Sequence, residues 1–234
     1  MPPSPPNKVD KVGFWGPPTS TLDWCEYNYE ISFYMAEFFV GIGSWLFHMT
    51  LLYRMQLMDE LPMVWGTLAS AYALFDINSS RSQINWWLAS LLITYGSVIT
   101  VIYITINVPI FHQVAYGLLV TACFLYSYIL SRKKYFPMRW FVLSLGLYLI
   151  GFCVWNIDNV FCRNLRHIRQ RLPVILGPIT QLHAWWHFFA GYASYLSILY
   201  LQQARLTVLK RRSSIKFGVL GLYVKIDMER DRAE

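Results

Sequence analysis

Charge is scarce in this sequence. Only 14% of its 234 residues are Asp, Glu, Lys or Arg, where a soluble domain carries roughly a quarter, and that shortage disfavours a soluble globular class. Acidic residues are the rarer sign, 13 against 20 basic, for a net charge of +7. No stretch forms an independent basic domain, so nucleic acid is a poor partner for that charge. Cysteine is sparse as well. Cys25, Cys123, Cys153 and Cys162 stand at no zinc-ribbon spacing. Cys123 and Cys153 fall inside apolar runs and read as small hydrophobes, which leaves Cys25 and Cys162, outside those runs, as the one pair open to bridging. No apolar segment follows the opening Met-Pro-Pro-Ser-Pro-Pro-Asn-Lys, so no cleavable signal is expected and the first helix is expected to serve as an uncleaved anchor. There is no internal repeat, and no alternation over ~10 residues of the kind that membrane barrels show.

Apolar surface is what the sequence has in abundance: 56% hydrophobic and 18% aromatic residues, gathered in long runs. Residues 86–106 run for 21 positions without a charge, and residues 184–201 for 18 more. A helix needs about 20 apolar residues to cross the hydrocarbon core of a bilayer. Further runs cover residues 61–75, 114–130, 140–155 and 31–53, the last broken by Glu37 and His48. The pattern predicts an all-α integral membrane bundle of about six transmembrane helices. Residues 1–30 form a polar arm, residues 31–204 the bundle and residues 205–234 a basic tail. The longest connection, residues 160–182, carries Arg163, Arg166, Arg169 and Arg171, with Pro173, Gly177 and Pro178 punctuating its second half. If all six runs cross, Arg81, Arg132, Lys133, Lys134, Arg139, Arg205, Lys210, Arg211, Arg212 and Lys216 share one side. Arg54 and the four connecting arginines share the other. The richer side, tail included, is expected to be cytosolic and to face anionic lipid.

His183 and His187 open the last helix, one turn apart on one face. That spacing lets two imidazoles reach one metal ion, as in zincins, although the zincin glutamate is absent. The pair alone reads equally well as hydrogen-bonded histidines at a membrane interface. A third histidine shifts the balance. His48 lies near the end of the first run and Asp59 just before the second, so on the alternating topology His48, Asp59, His183 and His187 share one membrane face. Unpaired polar groups in lipid are costly, and intramembrane ionisable groups are functional candidates. Three histidines with an open position are the layout of a catalytic zinc. Asp59 is then the candidate to orient a water and shuttle its proton. Ser44, one turn before His48, either steadies a developing oxyanion or is a small residue at a helix contact. Glu60 is expected to face water. Asp158, expected just after a helix, leaves three roles open: cap, arginine partner or support for the site. In the arm, Asp23, Glu26, Asn28, Glu30 and Glu37 offer the oxygen donors that calcium prefers, or form a solvated segment with Asp23 as a helix cap.

Several longer segments carry a resemblance. They are Trp15-Gly16-Pro17 through Ser20-Thr21-Leu22-Asp23-Trp24-Cys25-Glu26, then Phe47-His48-Met49-Thr50 followed by Gln56-Leu57-Met58-Asp59-Glu60-Leu61-Pro62. Pro109-Ile110-Phe111-His112-Gln113, Trp155-Asn156-Ile157-Asp158-Asn159 and Gln181-Leu182-His183-Ala184-Trp185-Trp186-His187 complete the set. Together, and in order, they resemble the alkaline ceramidases, most nearly the third type, active on unsaturated long-chain ceramides and phytoceramides. The resemblance spans residues 12–218. It implies the fold of the ceramidase and adiponectin-receptor superfamily, endoplasmic reticulum and Golgi membranes, and hydrolysis of ceramide to a sphingoid base and a fatty acid. By it, His48, His183 and His187 hold zinc, with Asp59 and Ser44 beside the activated water. Calcium is held by Asp23, Glu26, Asn28, Glu37 and the Trp24 carbonyl, and Cys25 pairs with Cys162 on the lumenal side.

One departure from the family matters. The family has seven helices, and here Ala36-Glu37-Phe38-Phe39 passes directly to Val40-Gly41-Ile42-Gly43-Ser44-Trp45, without most of one helix, a loop and the start of the next. The run 31–53 is then expected to cross the membrane once, which puts the arm on the face opposite His48; the alternative keeps the arm on the His48 side and makes the run re-entrant around Gly41 and Gly43. The rival readings are an inactive or impaired truncated variant, a lipid-sensing receptor of the same superfamily, and a metal transporter. Transport needs polar groups through the bilayer depth, whereas residues 86–106 and 114–130 are almost wholly apolar or aromatic.

Overall fold

The computed structural model describes residues 19–21, 42–79, 84–133, 138–218 and 221–226. Asp23, Trp24, Cys25, Glu26, Asn28, Glu30 and Glu37 lie outside the described residues, so the calcium set and the Cys25–Cys162 pairing do too. The elements in chain order are α1 (Ile42–Thr50), α2 (Tyr53–Phe75), α3 (Trp86–Ile106), α4 (Pro109–Lys133), α5 (Met138–Val160) and α6 (Cys162–Arg171). A 3-10 helix (Val174–Thr180), α7 (Leu182–Val208) and the strands β1 (Ser213–Gly218) and β2 (Gly221–Ile226) follow. The expected membrane-type helical bundle is the architecture found. Trp86–Ile106, Pro109–Arg132 and Met138–Val160 are long and apolar enough to cross a membrane. The chain groups into two compact units, Met1–Pro62 with Leu147–Gly191, and Met63–Gly146 with Tyr192–Glu234.

In the first unit, α1 ends where Leu51 takes a left-handed conformation (φ 52°). The carbonyl so turned out accepts from the backbone N–H groups of Thr19 and Ser20, at 3.1 and 3.0 Å. The Thr19 hydroxyl in turn accepts from the N–H of Tyr53, the first residue of α2, so Thr19 and Ser20 satisfy backbone groups at both helix ends of this corner. The long connection 160–182 holds α6 and the 3-10 helix. Its arginines recur at helical spacing, and Arg169 clamps the two pieces by donating to the Thr180 hydroxyl (2.8 Å) and carbonyl (3.0 Å).

In the second unit, α3 starts on Asn85, whose side chain accepts from the Leu88 N–H, and stops at left-handed Asn107. Pro109 then opens α4, a position where a missing N–H costs nothing. α3 is apolar all round yet buries only Gly96, Ile99 and Tyr103. Leu91 and Val101 stay exposed, as lipid-facing residues would. Gly96 lets α3 close on Trp65 of α2, whose indole N–H donates to Thr100. The Ser144 hydroxyl donates to the Ala193 carbonyl at 2.8 Å, an interhelical bond that stands in for water. The tail, read from sequence as a plain basic extension, pairs β1 with β2 as an antiparallel hairpin.

Candidate metal centre

The site begins with a helix contact. Pro62 of α2 has no N–H to give the Met58 carbonyl one turn earlier. Gly43 of α1 meets that same carbonyl so closely that a Cβ there would overlap it. The next residue on each helix therefore comes together, Ser44 beside the Asp59 carboxyl. The Ser44 hydroxyl is buried and faces that carboxyl. One turn further along α1, His48 lies within charge-interaction range of Asp59.

His183 and His187 reach His48 from the first turns of α7. His187 Nε2 is 2.9 Å from His183 Nε2 and 3.3 Å from His48 Nε2. The three rings are tilted or edge-on to one another, with centroids 4.6 to 5.3 Å apart. Two contacts fix the rotation of α7 here. Trp186 lies edge-on to Tyr148 of α5 at 5.5 Å, and Gly151 of α5 closes on Phe189 and Trp186, where a Cβ would sit 3.1 Å from each. The Trp185 indole N–H donates to the Ile179 carbonyl, tying the start of α7 to the 3-10 helix.

The donor chemistry fits a shared cation. One proton can bridge only two of three converging imidazole nitrogens, whereas a metal accepts all three lone pairs. Tetrahedral zinc with bonds of ~2.0–2.1 Å holds its ligand nitrogens about 3.4 Å apart. The spacings of 2.9 and 3.3 Å are close to that, and ligating atoms of the three histidines lie within 4.8 Å of one another. His183 is almost fully buried, at 2% exposure.

Three expectations need correction. Glu60 does not face water: it is buried and accepts from the Gln56 side chain at 3.0 Å. Asp158 does not follow a helix but lies buried in the last turn of α5. Arm residues 19–21, expected across the membrane from His48 by the single crossing, lie beside the end of its helix instead. Thr19, Ser20 and Thr21 are hydrogen-bonded to Leu51, Tyr53 and Gln56, directly after the helix that carries His48. The physical reason is the α1–α2 corner, whose exposed backbone groups are filled by Thr19 and Ser20. Gln56 is the residue the sequence reading passed over. Fully buried, its amide accepts from Thr21 N–H at 2.8 Å and donates to the Thr21 hydroxyl and to Glu60. A polar pair spaced i, i+4 at the edge of an apolar run was the available signal.

The model of a family described as ceramidase matches residues 38–220. The chain is 39% identical to alkaline ceramidase 3 of Mus musculus, across 96% of this chain and 98% of the relative. It is 29% identical to an alkaline ceramidase of Arabidopsis thaliana, across 92% and 95%. An alkaline ceramidase of Saccharomyces cerevisiae is 27% identical, across 88% and 83%. The mouse alignment runs over 262 positions against 234 residues in this chain, so the relative carries at least 28 residues without a counterpart here. With a family model matched over most of its length and relatives aligned nearly end to end, the chain belongs to the alkaline ceramidase family.

Proposed function

We propose that this chain hydrolyses the amide bond of ceramide in the membrane, giving a sphingoid base and a free fatty acid, with zinc held by His48, His183 and His187. One observation carries the reading: three Nε2 atoms converge, and the Asp59 carboxyl stands next to them with the Ser44 hydroxyl against it. Zinc at that point supplies Lewis acidity. Asp59 takes the proton of the attacking water as its oxygen adds to the acyl carbon. It returns that proton to nitrogen as the C–N bond breaks, so the sphingoid base leaves as a neutral amine. The Ser44 hydroxyl donates to the acyl oxygen as charge grows on it. Lipid-facing helices suit a substrate that stays in the bilayer and enters sideways, and the names of the relatives support ceramide as the substrate class.

In the same proposal, Asp23, Glu26, Asn28, Glu37 and the Trp24 carbonyl hold calcium. Their oxygen-donor chemistry supports this, as does the docking of Thr19–Thr21 on α2, two residues before the first of these donors. A Cys25–Cys162 bridge on the lumenal side and residence in endoplasmic reticulum and Golgi membranes, which the family resemblance implies, complete the reading, together with a cytosolic tail, which the charge asymmetry of the connections supports. A second reading, an impaired variant, is favoured by the 28 or more residues that the mouse relative has in excess. Ceramide turnover by the purified chain, run beside its zinc content, tests both. Turnover with about one zinc per chain supports the enzyme, zinc without turnover supports the impaired variant, and neither removes the metal site.

A further inference from the structure

After α7 the chain reverses. Lys210 is left-handed (φ 57°), its N–H donates to the Thr207 carbonyl, and the Arg211 N–H donates to the Leu206 carbonyl. These are the paired bonds of a Schellman turn. The hairpin that follows runs back along α7 toward its beginning. At its base Gln203 donates to the Ser213 carbonyl, and near its tip the Tyr195 hydroxyl donates to the Leu222 carbonyl. The apolar run of α7 ends at Leu201. Tyr195 lies six residues before it, which at 1.5 Å rise is about 9 Å deeper along the helix.

The hairpin is built for such a depth. Its register pairs Phe217 with Leu222 and Ile215 with Val224, so these four share one face. The opposite face carries Lys216 across from Tyr223 and Lys225 across from Ser214. Phe217 at the tip is 82% exposed, and the residues linking the strands in sequence are Val219 and Leu220, where a hairpin standing in water favours Asn-Gly or Asp-Gly. Residues 205–226 contain Arg205, Lys210, Arg211, Arg212, Lys216 and Lys225 and not one acid. An exposed Phe217 on one face, with Lys216 and Lys225 on the other, is complementary to acyl chains and anionic headgroups. The outer carbonyls of Ser213 and Leu222 find donors on α7, and a two-stranded edge is tolerated at the interface, where water reaches it, though not at the bilayer midplane.

We propose that the C-terminal hairpin is a membrane-inserted element: its tip enters the acyl boundary beside α7, and Arg211, Arg212, Lys216 and Lys225 hold anionic lipid headgroups. The depth of about 9 Å matches the 5–10 Å at which interfacial elements lie. This inference does not rest on the hydrolase reading. To test it, the full chain is placed in phosphatidylcholine vesicles with or without phosphatidylserine. A nitroxide is attached at Phe217→Cys or Lys225→Cys, with the labelled parent chain as background for the native cysteines. Collisions with oxygen, which partitions into lipid, are compared with collisions with a water-soluble nickel complex. The oxygen preference should be greater at 217 than at 225 and should rise with phosphatidylserine. That rise should vanish in Arg211→Gln/Arg212→Gln/Lys216→Gln, since each cation near an anionic surface contributes about fivefold to partitioning. Equal, water-like values at both positions overturn the insertion. A lipid-charge response that survives the triple change overturns the headgroup contacts.

Discussion

The chain buries histidine in two ways. His48, His183 and His187 turn three ring nitrogens toward one point, at spacings of 2.9 and 3.3 Å. His112 of α4, buried like His183 at 3% exposure, lies instead among aromatic rings: Tyr103 at 5.0 Å, and Tyr116 stacked parallel at 6.3 Å. Both settings place an ionisable side chain in an apolar helix, and residue type and depth do not separate them. Convergence of lone pairs does. A single imidazole can pack among tyrosines, whereas three imidazoles meeting through Nε2 present lone pairs that one cation can satisfy together.

The largest effect that would break this contrast comes from the converging set. His183→Ala or His187→Ala should take zinc from about one per chain to near zero and abolish turnover, because a three-ligand site loses a ligand. Metal analysis of the purified variants checks it, and unchanged zinc in both would reject the site. Asp59→Asn should leave zinc bound while turnover falls about 10²–10⁴-fold, the usual size of a positioned acid–base contribution. Near-normal turnover there would remove Asp59 from the chemistry.

Gly43→Ala sharpens the contrast at the level of packing. A Cβ at 43 collides with the Met58 carbonyl, so α1 must shift, taking Ser44 and His48 away from Asp59. Overpacking of this kind costs about 1–3 kcal/mol. A displacement near 1 Å at a catalytic constellation can cost roughly 10²-fold in rate. Thermal unfolding in detergent and turnover should both fall, with some zinc retained, and a variant as stable and active as the parent would show that the contact does not position the site.

Some of this was legible in the sequence and some was not. The helix faces of His183 and His187 follow from their i, i+4 spacing, and the shared depth of His48 follows from counting crossings. Glu60 was misread because its apolar neighbourhood was judged without Gln56, a partner one turn away on the same helix. The docking of Thr19–Thr21 depends on unsatisfied backbone groups at the corner around Leu51, which residue types do not announce. α6 was hidden by its four arginines, which read as a solvated connection although three of them recur every third residue. The hairpin was hidden by the same habit. Counting the cations of the tail masked the alternation of Ile215, Lys216 and Phe217 against Leu222, Tyr223, Val224 and Lys225, a strand signal with the correct period of two.

The smallest expected effect tests the other half of the comparison. His112→Phe keeps a ring between Tyr103 and Tyr116 and gives up only the ring nitrogens. If His112 is a packing residue, zinc content should match the parent and turnover should stay within about twofold, since neither Asp59 nor a converging imidazole is touched. Stability should change by on the order of 1 kcal/mol, the scale of one buried polar contact exchanged for apolar area. The segment Pro109-Ile110-Phe111-His112-Gln113 is one of those that resemble the ceramidases, so the experiment has an edge. Loss of half the zinc, or a tenfold drop in turnover with zinc intact, would mean that His112 serves the chemistry after all. The line between converging and ring-packed histidines would then fail as a guide to function in this bundle.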